Sequence, residues 1–355
     1  FYNLQLTTAG QTVTLTNRLA IQNVLTIGST SGSKVTLTGS SYSLYLYKNT
    51  TAPIVFNRTH DVGYDITGIN SVYLQHTADS VLPGGTYPNI YVTSSGAYTT
   101  TMAGDVTVGG TLYIFGNPAV GLTTLDTSSS NYALTVNGSL YLGIPPPPNG
   151  KLKANDSTII VTGDVTIYGG FGGSEIDADT SNWTVGGNWY NFSGTFTADT
   201  STVTFNSGST GKTIYSGGSS FYNIIFNNAS GGWTLQEAMT VTNDFTVTNS
   251  DTTGSGVDLN GKAVNVTNDF SINGGEVTAG ASTITIGGNW TNSGTFTYDT
   301  STVILTGASV ALDTGGNATT KRFYNLQLTT AGQTVTIANR LAIQNVLTIG
   351  STSGS

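Results

Sequence analysis

Apolar and polar residues alternate along this chain over short stretches, as in Val241, Phe245 and Val247 and again in Ile284 and Ile286. A period of two sends successive side chains to opposite faces of a strand, so each stretch predicts a strand with one buried face. Polar clusters separate the stretches: Asn273–Gly275, Asn260–Gly261 and Asp251–Gly256. Gly and Asn tolerate the positive φ that tight turns need, so these clusters predict turns. The pattern therefore predicts many short strands and almost no helix.

Internal repetition turns this pattern into an architecture. Residues 323–355 reproduce residues 1–33 at 31 of 33 positions, with Leu15 and Thr16 replaced by Ile337 and Ala338. The chain thus spans one 322-residue period and enters the next. Weaker copies of the opening FYNLQL lie at 87–92 (YPNIYV) and 221–226 (FYNIIF), and Gly187-Asn-Trp189 returns as Gly288-Asn-Trp290. A finer unit repeats at closer range, where Val241-Thr-Asn-Asp-Phe245 returns as Val266-Thr-Asn-Asp-Phe270. Strands that recur at a fixed short spacing fit the coils of an all-β solenoid, a β-helix with coils of about 25 residues and loop insertions. Tandem β-sandwiches are the alternative. On this reading residues 1–86 form a first repeat with a Tyr-rich insertion at 34–86, and 87–220 a second with a polyproline II loop at Pro145–Pro148. Residues 221–322 form a third, and 323–355 begin the next period.

Composition narrows the class. Glu occurs only at positions 175, 237 and 276, while Ser and Thr fill 98 of 355 positions and Gly 46, so the residues that cover helix surfaces are missing. A hydrophobic fraction of 37% is ample for a core, which argues against disorder. The net charge of −8 opposes nucleic acid and anionic membrane as partners, and no apolar run is long enough to span a bilayer. Without Cys there is no disulfide framework or thiolate metal site. Phe1 opens directly into patterned sequence, which reads as a mature chain or an internal fragment.

Candidate chemistry is sparse. Neither of the two imidazoles, His60 and His76, has a second His or a Cys at ligand spacing, and His60-Asp61 reads as a surface turn rather than part of a triad. Most Asp residues sit in turns such as Ala198–Ser201 and Tyr298–Ser301, which predicts Asx turns rather than acid–base catalysis. The chain is accordingly read as a non-enzyme with no catalytic residue and no cofactor. Glu175, Asp177 and Asp179, spaced alternately after Gly172-Gly173, are a weak Ca²⁺ candidate. Ten N-x-S/T sequons are candidate glycosylation sites: Asn49, Asn57, Asn137, Asn155, Asn182, Asn191, Asn228, Asn265, Asn289 and Asn317. Lys321-Arg322 resembles a processing pair, but the chain runs on through it.

Three features carry a resemblance: the FYNL opening, the Gly288–Thr297 segment GNWTNSGTFT, and the Ser-Thr-Val strands at Ser201 and Ser301. Together they resemble the β-solenoid, filamentous-adhesin-like repeat regions of giant bacterial and archaeal cell-surface or fibre proteins. That resemblance implies an extracellular or cell-surface location and a structural role, continuing end to end with neighbouring copies of itself. The first alternative it leaves is a glycan-binding adhesin module using the Tyr-rich stretch. A polysaccharide-degrading β-helix enzyme is a distant third.

Overall fold

The structure is a computed structural model that describes residues 1–47, 54–116, 121–143, 149–170, 173–316 and 318–350. Strand makes up 55% of it and helix 1%, and the strands build a parallel β-solenoid of about 14 turns with about 23 residues per coil. The expected solenoid is therefore observed, and the tandem sandwiches are not. Pro145–Pro148 lie outside the described residues.

The chain divides into two compact units, Phe1–Trp183 with Asn191–Asp199, and Thr184–Tyr190 with Thr200–Ser355. In the first, one coil contributes strands Leu134–Val136, Leu140–Leu142 and Gly150–Lys153. The next coil lays Ile159 on Leu134, Val165 on Leu140 and Ile176 on Leu152, all in parallel register. The second unit repeats the scheme with Phe270, Val277 and Ile284, beneath Trp290, Phe296 and Val303. These coils thus have three faces, and the inward residues Leu134, Leu140, Leu152, Phe270, Val277 and Ile284 are all buried. Like residues stack on like because each inner position meets its own counterpart one coil away.

The spacing of the Val-Thr-Asn-Asp-Phe unit is one instance of a variable coil. Phe245 does pair with Phe270, ring centroids 4.5 Å apart and planes 4° from parallel. The coil that joins Val72 to its partner Ile90 is shorter, however, and the one that joins Leu112 to Leu140 is longer. Turns take up the difference, since extra loop residues cost little as long as the strand register is kept.

The turns also revise the role of two aspartates. Asx turns form at Asp126, Asp251, Asp258 and Asp313, whose carboxylates accept the N–H two residues on. In Ala198–Ser201 and Tyr298–Ser301, Asp199 and Asp299 instead occupy the left-handed region, at φ 43° and 44°. The Asp299 carboxylate accepts the Gly280 N–H of the preceding coil at 2.9 Å. Asp299→Val should destabilise the fold by about 1–2 kcal/mol, because a β-branched residue resists this backbone. Asp299→Asn keeps both the conformation and an acceptor and should cost under about 0.5 kcal/mol. Paired thermal melts of the two variants test this.

The two copies of the opening segment fold alike. Asn3–Leu6 pairs with Val24–Ile27, and Asn325–Leu328 pairs with Val346–Ile349, so the register is the same in both. Asn23 donates to Asn3 at 2.8 Å and Asn345 to Asn325 at 2.9 Å.

Candidate functional site

The Tyr-rich stretch supplies coil strands of its own. Val35–Tyr47, Tyr64–His76 and Asn89–Ser94 pair side by side, and their outward residues fall in line. The result is a column of half-buried tyrosines, Tyr45, Tyr73, Tyr91, Tyr113 and Tyr141, with successive centroids 4.3, 4.2, 4.5 and 5.1 Å apart and planes within 11°. The Arg18 guanidinium lies 3.8 Å over the Tyr45 ring and closes that end. Parallel register forces this stacking, because identical side chains on one strand position recur at the strand spacing. Burial, and then the neighbouring phenols, push Tyr73 and Tyr113 above their ordinary value.

At one edge of this unit the structure gathers Lys34, His60, Asp61 and Asp65. The Lys34 ammonium lies 2.6 Å from Asp61 and 3.0 Å from Asp65, while His60 Nδ1 lies 3.0 Å from Asp61 and Nε2 3.5 Å from Asp65. Asp61 occupies a turn at φ 62°, and Thr67 donates both its N–H and its hydroxyl to Asp65. Burial opposes the Asp65 charge, but the hydrogen bonds from Thr67 and Lys34 outweigh it and hold the carboxyl at about 2. The ligand atoms of His60, Asp61 and Asp65 lie within 4.8 Å of one another, the geometry a cation needs. Lys34 already supplies that positive charge, and the cluster acts as a clasp between the 57–63 turn and the strand beginning at Val35. Sequence reading treated His60-Asp61 as a turn and missed Lys34 and Asp65. They meet only because Thr36 pairs with Asp65 across coils. The His76 side chain lies outside the described residues.

Glu175 and Asp177 are the outward residues of the Glu175–Asp177 strand, and Asp179 follows in a turn at φ 49°. The Lys151 ammonium of the preceding coil lies 2.9 Å from Glu175 and 3.3 Å from Asp177. Burial alone would lower Lys151; the two carboxylates reverse that and raise it. Alternate spacing thus sets both carboxylates against one lysine of the preceding coil. Gly172 lies outside the described residues.

The sequons differ in accessibility. Asn137, Asn182 and Asn265 are exposed. Asn57, Asn228 and Asn289 are half-buried and engaged with Gly28, Asn206 and Ala311. Asn155 and Asn191 are buried, bonded to Asp126 and to the Gly194 N–H respectively. Asn49 and Asn317 lie outside the described residues.

Lys321 of the apparent processing pair is also structural, donating to the carbonyls of Asn292 and Gly294. Among the described residues no helix is long and apolar enough to cross a membrane. No family model, curated protein or solved structure matches the chain.

Proposed function

We propose that this chain is a structural repeat segment of an extracellular fibre or surface layer, built to continue end to end. The observation that supports the reading is the recurrence of one coil at two places in the chain, with the same strand register and the same Asn–Asn bridge in both. A solenoid that restarts its own sequence in register has a lattice-like axis along which further periods add without a new interface. With about 23 residues per coil and about 4.8 Å per strand spacing, a 322-residue period predicts an axial repeat of about 67 Å. Imaging of native assemblies at sufficient resolution to index that repeat is the test; isolated particles, or a repeat unrelated to it, would overturn the reading.

The outward tyrosines are the feature a second reading, a glycan-binding module, would use. Sugars stack on bare ring faces, and in this column each inner ring has both faces against neighbouring rings. The column therefore supports a structural role better than a sugar platform. A glycan array showing binding that is lost in Tyr91→Ala, with the fold intact, would reverse this preference. For the enzymatic reading, the Lys34–His60–Asp61–Asp65 cluster is the group to test. Polysaccharide turnover that disappears with Asp65→Asn would establish it.

A further inference from the structure

The two copies of the Gly-Asn-Trp motif treat the same asparagine differently, and the difference singles out a lysine. Trp189 pairs with Ile214 and Trp290 with Leu312, so the strands that follow the two motifs correspond. After the first motif, Asn191 is buried and its carbonyl accepts the Gly194 N–H at 2.8 Å. Phe221 lies seven positions beyond Ile214, whereas Phe323 lies eleven beyond Leu312. The longer stretch ends in a short 3-10 turn, Thr319–Lys321, and Lys321-Arg322 stand before Phe323 where Ser219-Ser220 stand before Phe221. That turn brings the Lys321 ammonium to Asn292, the counterpart of Asn191.

Asn292 is 1% exposed, so its side-chain amide is held by protein groups and not by solvent. Its Nδ2 donates to Thr320 O at 3.3 Å, which turns Oδ1 toward Lys321. Lys321 Nζ lies 3.4 Å from that Oδ1 and 3.1 Å from Asn292 O, and it also donates to Gly294 O. Gly315, at φ 69°, keeps the space: a Cβ there would stand 3.3 Å from Lys321 Nζ and crowd Asn292 O. Burial pulls Lys321 below its ordinary value against the opposing pull of Asp313, which enlarges the neutral fraction of the amine. An amine attacks only when neutral, and holding it beside an acyl group replaces a high concentration of free amine.

We propose that Lys321 and Asn292 are a cross-linking pair, in which the lysine amine displaces ammonia from the side-chain amide and leaves an isopeptide bond between successive coils. Lys321 Nζ gives a proton to solvent and its electron pair forms a bond to Asn292 Cγ. A second proton passes from Nζ to Nδ2, the Cγ–Nδ2 bond breaks, and ammonia leaves and takes up a proton from solvent. One ammonium is consumed and one released, and no electrons change hands. The chain contains no Cys, so a bond of this kind is a covalent staple that needs no disulfide.

The test is the mass of the whole chain, measured in denaturant after the folded protein has been held in mildly alkaline buffer. It should be lighter than its sequence by one ammonia, and a digest should yield one branched peptide joining Lys321 to Asn292. Chain kept in urea throughout should retain its full mass, because the two groups meet only in the fold. Lys321→Arg keeps the positive charge but lacks the amine, so it should retain the full mass of its own sequence, as should Asn292→Ser. If either variant fails to fold, the mass and digest of the unaltered chain decide alone. Full mass in the folded, aged chain overturns the proposal. So does an ammonia loss that persists in Lys321→Arg or that digests to linear peptides, since a succinimide at an Asn-Gly step such as Asn137-Gly138 would then be its source. The outcome is independent of the fibre reading, because the bond lies within one chain.

Discussion

Phe270→Ala should lower the stability of the second unit by about 3–5 kcal/mol, read as a fall in the urea midpoint with little change in slope. Phe270 is fully buried between Phe245, at 4.5 Å and 4°, and Trp290, at 5.0 Å and 3°. Removing the middle ring forfeits both stacking partners and leaves a cavity that rigid parallel strands cannot close, because their spacing is set by backbone hydrogen bonds. Tyr42→Ala, at an exposed position, is the comparison and should stay within about 0.5 kcal/mol. A loss at Phe270 as small as that at Tyr42 would show that the aromatic column does not hold the coils together.

Alkaline pH should unfold the first unit more readily than acid. Burial pushes the Tyr64 phenol up to about 12 and the fully buried Tyr87 phenol well above its ordinary value. Tyr73 and Tyr113 move in the same direction, again mainly through burial. In each case the folded state holds its proton more tightly than the unfolded chain, whose phenols titrate near 10. The stability is therefore fully present below about pH 10 and is lost as pH rises through the folded values. Asp65 works in the opposite direction: held at about 2, it contributes stability above its ordinary value of 3.8 that is lost as pH falls toward 2. Melting temperature should hold between about pH 5 and 9 and fall above about 10. A melting temperature that stays flat up to about pH 12 would show that these four phenols are not held above their ordinary value.

Much of the architecture is legible because a solenoid is a local structure repeated. Phe245 and Phe270 could be paired from the Val-Thr-Asn-Asp-Phe unit alone, since neighbours in the stack are one coil apart in sequence. The period failed as a ruler where turns vary, as between Leu112 and Leu140. The Tyr-rich stretch read as an insertion because its tyrosines and its Pro53 and Pro83 depart from the short repeated unit, and the structure gives it strands of 13 residues. Its spacing alone did not reveal that Tyr45, Tyr73 and Tyr91 share one register, since bulges shift the pairing between Val35–Tyr47 and Tyr64–His76.

The chemistry was less legible than the fold. Glu175 and Asp177 were visible as an alternating acidic pair, but the lysine between them comes from a residue 24 positions earlier. Lys34, His60, Asp61 and Asp65 likewise converge through cross-coil pairing and not through spacing along the chain. By itself, the sequence determined the strands, the turns, the repeat and the buried face, because alternation and Gly/Asn chemistry act over a few residues. Only the tertiary structure decided which outward residues meet and how the rings of successive coils stack. Those outcomes depend on the register and length of neighbouring coils, which no single stretch of the chain contains.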